Sequence, residues 1–482
     1  MLVAVVGGLL WGSCFARSPW VPVSLFALVP LVALAPGPRG VLLGFVHGCA
    51  AWLVSIRWIP HTLIEFGGLP DWLAFLLLAV MITVLGASHA LAAVCFARVD
   101  RARWWWGVPA VWVTIEWLRA RIPLPFPWNQ AGYAWTDLPG ALALSSWVGL
   151  YGLSFAVLAV NAALAVALVD RRWRPAAWCW LTVALLLISA GRFADARSQP
   201  GGHEVRIIQP DIPNQTSWDA VVARRGYERL MRLSEEACDR PGALLIWPES
   251  ASWPHIWGES PALGRDVRAL GDRGCPVLFN SVSRQSESIF NSALLVEPDG
   301  DVGRSDKRRL VPYGEYVPLA DLLPFVGTLA RAAGNFSAAE AATLLAWRGE
   351  RLGTALCYEV MFPEDLAQLA RRGATLFAAL SNDAWYGENS LAQWQLLRAV
   401  RMRAAENRRW FLRAAVTGIS ALVAPDGSIL QSLPAGAQGI IRQRVRGSLE
   451  LTPYARFPWG VPVVAVLLAA FAIVSPLRRP AS

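Results

Sequence analysis

The sequence predicts two kinds of structure in one chain: a multi-pass transmembrane helical bundle of eight spans, and a water-exposed layered α/β domain. Three observations predict this. Charged residues make up only 16% of the 482 residues, and between Met1 and Ala190 they occur singly or in small clusters between apolar runs. From Gln199 to Pro453 the charge density and alternation are those of a water-soluble domain. Within that second region, short apolar runs alternate with segments of helical length, the pattern of buried strands joined by helices.

Residues 1–16 are apolar but lack a basic leading region and a cleavage site, so they read as a retained helix rather than a removed signal. Apolar runs follow at about 20–36, 40–60, 71–96, 104–118, 139–169 and 173–190, and an eighth span at about 456–475. A hydrocarbon core of about 30 Å takes roughly 20 helical residues, and the first, second and fifth runs are short by that measure. Arg39, Arg98, Arg101, Arg103, Arg171, Arg172, Arg174, Arg478 and Arg479 fall on one side of such a bundle, and fewer arginines fall on the other. That bias puts both termini in the cytoplasm and the soluble region outside it. The expected division is residues 1–191 as a seven-span membrane domain, 192–454 as an extracytoplasmic domain, and 455–482 as a final span and tail.

The net charge of +9 invites a membrane explanation before a nucleic-acid one, because the arginines lie between apolar runs rather than in one stripe. Trp117–Trp135 is rich in proline and aromatic residues, which suits a re-entrant interfacial loop or a seat for a lipid. Glu116, just before it, is costly in an apolar run unless paired, with Arg119 or Arg121 as candidates.

In the soluble region, His203–Gln209, Gly242–Trp247, Val277–Val282, Ser292–Val296, Gly353–Cys357, Ala374–Leu380, Phe411–Val416 and Ile419–Val423 read as strands, and Tyr227–Cys238 and Leu391–Asn407 as helices. Polar groups at the ends of buried parallel strands are where open α/β sheets place their chemistry. Glu249, Lys307 and Cys357 each stand directly after or beside such a strand. A carboxylate can take the proton of a thiol while a lysine supplies positive charge for the thiolate and a developing oxyanion. Each residue has an ordinary reading as well: Cys357 as packing, Glu249 as a helix cap, and Lys307 as one solvated cation among Arg304, Arg308 and Arg309. A Cys/His pair using His203 or His255 stays open as an alternative.

Three cysteines in the soluble region, Cys238, Cys275 and Cys357, leave at least one thiol unpaired. No CxxC spacing or cysteine–histidine cluster points to a metal, and no organic cofactor is indicated. Tyr358 and Glu359 follow the candidate nucleophile. Glu359 is a candidate hydrogen-bonding support, Asn382 a polar positioning group, and Trp385 and Tyr386 apolar surface for an acyl chain or part of a gating arm. Pro312 and Tyr313 suit a second arm, and Leu322, Leu323 and Phe325 an apolar stretch that dips toward a membrane.

The blocks LLIWPES, DKRRLVPYGEYVP, ALCYEV and SNDAWYG, in this order, resemble the carbon–nitrogen hydrolase (nitrilase) superfamily. With the flanking spans and the closing ELTPYARFPWG, the whole chain resembles the apolipoprotein N-acyltransferase family. The resemblance implies an αββα sandwich for the soluble domain, with Glu249 as general base, Lys307 as oxyanion stabiliser, Cys357 as acylated nucleophile, and Glu315 as an additional carboxylate near Lys307. It implies ping-pong transfer of an acyl chain from a membrane phospholipid, through a Cys357 thioester, to the α-amine of the N-terminal S-diacylglyceryl cysteine of an apolipoprotein. The implied setting is a bacterial inner membrane with the catalytic domain on the periplasmic side, no nucleic-acid partner, and a monomer. Two rival readings carry other outcomes: a membrane-bound amidase or hydrolase using water as acceptor, and a receptor or scaffold with an inactive domain.

Overall fold

The computed structural model describes residues 1–16, 20–121, 125–193, 201–212, 219–312, 314–316, 335–387 and 390–475. The chain forms two compact units: Met1–Pro60 with Pro70–Asp195 and Thr452–Ser482, and His61–Leu69 with Ala196–Leu451. The expected segments Tyr313, Leu322, Leu323 and Phe325 lie outside the described residues.

The first unit is helical, and it corrects the expectation of eight spans. Among the described residues, three helices are long and apolar enough to cross a membrane: Asp71–Phe96, Ala141–Asp170 and Trp173–Arg192. A fourth is added only if Gly40–Ser55 and Ile59–Glu65, bent by 54° at their junction, count as one span. The remaining apolar runs form shorter helices. Leu2–Ser13 has 12 residues, Trp104–Arg119 has 16 with Pro109 inside, and Gly460–Val474 has 15. At 1.5 Å per residue these reach about 18–24 Å, short of a hydrocarbon core of about 30 Å. The run at 20–36 breaks into Val21–Ser24 and Val29–Leu34, each with a proline in its first turn. Hydropathy reports apolar composition; prolines and bends decide how much of it is continuous helix.

Small residues let the helices of this unit approach closely. Gly8 and Gly12 face the carbonyls of His47 and Ala51, where a Cβ would collide with backbone. Buried Glu116 feels the charge of Arg119 but takes its hydrogen bonds elsewhere. Its Oε1 accepts from Trp112 Nε1 and Ala131 N, both at 2.7 Å, while Arg119 donates to the carbonyl of Trp128 at 2.9 Å.

The second unit is a four-layer α/β sandwich. Its first sheet has the order β12-β1-β2-β3-β4-β5, with β1 His203–Gln209, β2 Leu244–Ile246, β3 Val277–Gln285, β4 Ser288–Val296, β5 Val302–Asp306 and β12 Gly439–Val445. Its second has the order β11-β10-β9-β8-β7-β6, with β6 Leu345–Trp347, β7 Glu350–Leu356, β8 Leu376–Ser381, β9 Phe411–Ala415, β10 Ser420–Val423 and β11 Ile429–Leu433. In each sheet three central strands run parallel, β1-β2-β3 and β7-β8-β9, and the flanking pairs are antiparallel.

The inner faces meet in one apolar core, with Val205, Ile207 and Ile246 from one sheet and Leu352, Leu376 and Leu412 from the other. Helices Ala220–Ala237 and Pro261–Asp272 cover the outer face of the first sheet through Leu230, Leu263 and Val267. Helices Pro363–Arg371 and Leu391–Asn407 pack on the second. Cys238, just past the first of these helices, forms a disulfide with Cys275, just before β3. Cys357 is left as a free thiol.

Candidate active site

The parallel strands bring the candidate groups to one end of each sheet. Glu249 follows β2, and Cys357 follows β7, whose register with β8 sets Leu356 opposite Leu380. Lys307 follows β5 directly and is 2% exposed. Its ammonium donates to Glu249 Oε1 at 3.3 Å and to Glu315 Oε1 at 2.9 Å. Asn291 of β4 donates to the same two oxygens, at 3.1 Å and 2.6 Å. The other oxygen of Glu249 accepts from the backbone N–H of Asn382 at 3.1 Å, and that of Glu315 from Val311 N at 2.9 Å. Burial alone would lower the pKa of the ammonium, but the carboxylates of Glu249 and Glu315 outweigh it and hold Lys307 charged.

Cys357 begins a 3-10 turn, Cys357–Met361, and takes a left-handed backbone conformation at φ 49°. Such a conformation costs a β-carbon-bearing residue of order 1–3 kcal/mol, so neighbours must enforce it. Glu359 is the brace. Its Oε2 accepts from Leu356 N at 2.8 Å, and its Oε1 from the backbone of Arg308 at 2.8 Å and Arg309 at 3.1 Å. One carboxylate therefore ties the thiol's turn to the segment that carries Lys307. Burial raises the pKa of Glu359, which these backbone donors oppose.

The thiol is pushed up to about 12, first by burial and then by the charge of Glu249, with Lys307 acting in the opposite sense. It therefore rests protonated at neutral pH, and a thiol in that state needs a base to serve as a nucleophile. The hydroxyl of Tyr386 lies 3.7 Å from Sγ.

The other candidates are placed differently. Asn382 meets Glu249 through its backbone, while its side chain caps the turn Asp383–Tyr386 by accepting from Ala384 N at 3.3 Å. Trp385 is 42% exposed, its ring edge-on to Phe66 at 4.9 Å and its carbonyl accepting from Thr62 Oγ1 at 2.8 Å. Tyr358 is buried, with its ring edge-on to Phe362 at 5.0 Å.

Sequence reasoning missed Asn291, the position of the Tyr386 hydroxyl, and the packing of Thr62 and Phe66 on the SNDAWYG turn. It also missed the pair of Asp383 and Arg413, both fully buried and 2.5 Å apart. An asparagine inside an apolar strand run was the one available signal for Asn291. Among the described residues no group of His, Cys, Asp and Glu side chains is placed to hold a metal ion.

Similarity to known proteins agrees with this architecture at both ends of the chain. A family model described as "Apolipoprotein N-acyltransferase N-terminal domain" matches residues 7–163, and one described as "Carbon-nitrogen hydrolase" matches residues 204–454. The apolipoprotein N-acyltransferase of Geobacter metallireducens is 33% identical, with 98% of this chain and 95% of that protein covered. The chain belongs to the apolipoprotein N-acyltransferase family. The Ralstonia nicotianae protein of that name is 32% identical over 98% of this chain and 92% of its own length. A solved amidase of the nitrilase superfamily from Nesterenkonia AN1 is 20% identical, covering 53% of this chain and 95% of its own, at a TM-score of 0.41. Membership makes this chain an acyltransferase embedded in a membrane by its long apolar helices.

Proposed function

We propose that this acyltransferase moves an acyl chain from a membrane phospholipid to the α-amine of an N-terminal S-diacylglyceryl cysteine, using Cys357 as the carrier. The observation that carries the reading is the buried set of Lys307, Glu249 and Glu315 beside a protonated thiol in a chain of this family. Glu249 takes the thiol proton as sulfur attacks the ester carbonyl. The carbon–oxygen bond breaks, and Glu249 returns the proton to the departing lysophospholipid. The amine then attacks the thioester, its proton passes to Glu249, the carbon–sulfur bond breaks, and the proton returns to sulfur.

Lys307 offsets the oxyanion in both halves, and Glu315 with Asn291 fixes where its ammonium points. Glu359 holds the strained turn of Cys357. Asn382 orients Glu249 through its amide, and Trp385 supplies apolar surface for an acyl chain. Both substrates carry their tails in a bilayer, which is the physical reason for joining this chemistry to a membrane unit.

The division into residues 1–191, 192–454 and 455–482 belongs to the same proposal, as does a periplasmic catalytic unit in a bacterial inner membrane. The Cys238–Cys275 disulfide supports that side, because disulfides persist in oxidising compartments. The test is intact mass analysis of purified protein in detergent with phospholipid alone. Wild type gains the mass of one acyl chain, and Cys357→Ala and Glu249→Ala gain none. A wild-type protein that stays unmodified in competent lipid sinks the reading.

A further inference from the structure

We infer that Tyr386 is a further catalytic residue, whose hydroxyl donates a hydrogen bond to the sulfur of Cys357 whenever that sulfur carries negative charge. The inference rests on the acyl-transfer reading above and extends it to an atom which that reading leaves unused. Three observations carry it. The hydroxyl lies 3.7 Å from Sγ, within reach of a hydrogen bond to sulfur. With a thiol either atom can donate; with a thiolate only the phenol can. Burial holds the phenol pKa well above its ordinary value, with the neighbouring thiol and the carboxylate of Asp383 adding to it, so the hydroxyl keeps its proton.

The second observation is how firmly the turn is held. Tyr386 ends the 3-10 turn Asp383–Tyr386. Asp383, at its start, is gripped by Ser381 Oγ and by Arg413 Nη2, each at 2.5 Å. The third lies at the other end of the turn. Thr62 donates to the Trp385 carbonyl, Phe66 packs on the Trp385 ring, and the ring of His61 fills the space where a side chain on Gly387 would sit. A hydroxyl fixed from both ends is pre-organised, which is what makes a hydrogen bond useful to a developing charge.

The chemistry assigns a direction. In the first half-reaction sulfur gives up charge as it attacks; in the second it departs with the electron pair of the broken carbon–sulfur bond. A donor to sulfur therefore helps discharge of the thioester more than its formation. No proton is transferred from the phenol in either half.

Among the described residues, the charged and titratable groups that face the thiol are Glu249, Lys307, Asp383 and Tyr386 itself, and the Ser381 hydroxyl is a further hydrogen-bond partner of the sulfur. The test compares the rate at which Cys357 reacts with iodoacetamide across the alkaline range in full-length wild type and Tyr386→Phe. Loss of one charge-assisted hydrogen bond lowers this rate about tenfold at each pH on the rising limb, and slows discharge of a pre-formed thioester by about the same factor. A second variant carries 3-fluorotyrosine at 386, which keeps the ring in place and makes the hydroxyl a better donor. It moves the alkylation rate up, so the two variants bracket wild type. Alkylation that coincides in wild type and both variants overturns the inference. Failure of wild type to acylate overturns the transfer reading instead, and the alkylation comparison still decides whether the hydroxyl serves the sulfur.

Discussion

Of the carboxylate–cation clusters that the catalytic unit buries, two are of opposite design. Around Lys307, two carboxylates share one ammonium, and Asn291 donates to the same two oxygens. Around Arg413, one carboxylate meets one guanidinium, with Asp383 also bound by Ser381 and Arg413 donating to the Ile419 carbonyl at 3.0 Å. The first cluster carries more acceptors than its cation can match, and it acts on the thiol through both Glu249 and Lys307. The second is balanced and anchors the turn that carries Tyr386; it reaches the thiol only through Asp383, whose charge acts more weakly than that of Glu249. Burial of charge by itself therefore does not mark chemistry; a surplus of one sign beside a free thiol does.

Among variants that keep a measurable loading rate, the largest effect expected is from Lys307→Met. With Lys307 in its proposed role at the oxyanion, its loss lowers thioester formation by about 10³-fold, toward the upper end for a single stabilising group. Arg413→Met, like Lys307→Met, strands buried carboxylate charge and costs about 3–5 kcal/mol of stability. Its loading rate per folded molecule nevertheless stays within about tenfold of wild type, because one positioned turn is worth less than the charge itself. Rates from intact mass and unfolding monitored in detergent separate the two. Equal losses of rate at equal stability would break the comparison.

Removing the disulfide with Cys238→Ser and Cys275→Ser costs about 2–5 kcal/mol, since it closes 37 residues of chain, and leaves loading unchanged. Glu249→Gln sharpens the contrast by moving two readouts in opposite directions. It abolishes loading for want of a base, yet it removes a like charge from the thiol, so alkylation of Cys357 becomes about tenfold faster on the rising limb.

The smallest effect is on stability against pH. The thiol's folded pKa is raised to about 12, above its unfolded value, so the folded state holds the proton longer. The contribution is fully present below the unfolded pKa of about 8.5 and is lost as pH rises toward the folded value. Between about pH 8.5 and 9.5 the loss is about 1 kcal/mol, and Cys357→Ala removes it. Chemical unfolding at the two pH values measures both.

The candidate nucleophile and base were legible because β2 and β7 are central parallel strands. Buried on both faces, they read as unbroken apolar runs, and the polar residue that ends each run stands out. The edge strands did not read this way. β11 is mostly exposed and β12 alternates irregularly, so neither Ile429–Leu433 nor Gly439–Val445 shows an apolar run. Asn291 was hidden for another reason. Its partners Glu249 and Glu315 lie 42 and 24 residues away, and nothing local marks a residue whose purpose is to align two distant carboxylates. In the membrane unit the reading failed on geometry rather than composition. The apolar runs exist, but Pro22, Pro30 and the bend after Ser55 divide two of them, and others form helices of only 12–16 residues.

The acceptor is decided by starting from enzyme already acylated on Cys357 and freed of phospholipid. It receives either an S-diacylglyceryl cysteine peptide with a free α-amine or the same peptide with that amine acetylated. Discharge of the thioester onto the free amine, with little fatty acid released and no reaction with the blocked peptide, is the predicted result. Release of fatty acid at the same rate with either peptide would contradict the account and make water the acceptor.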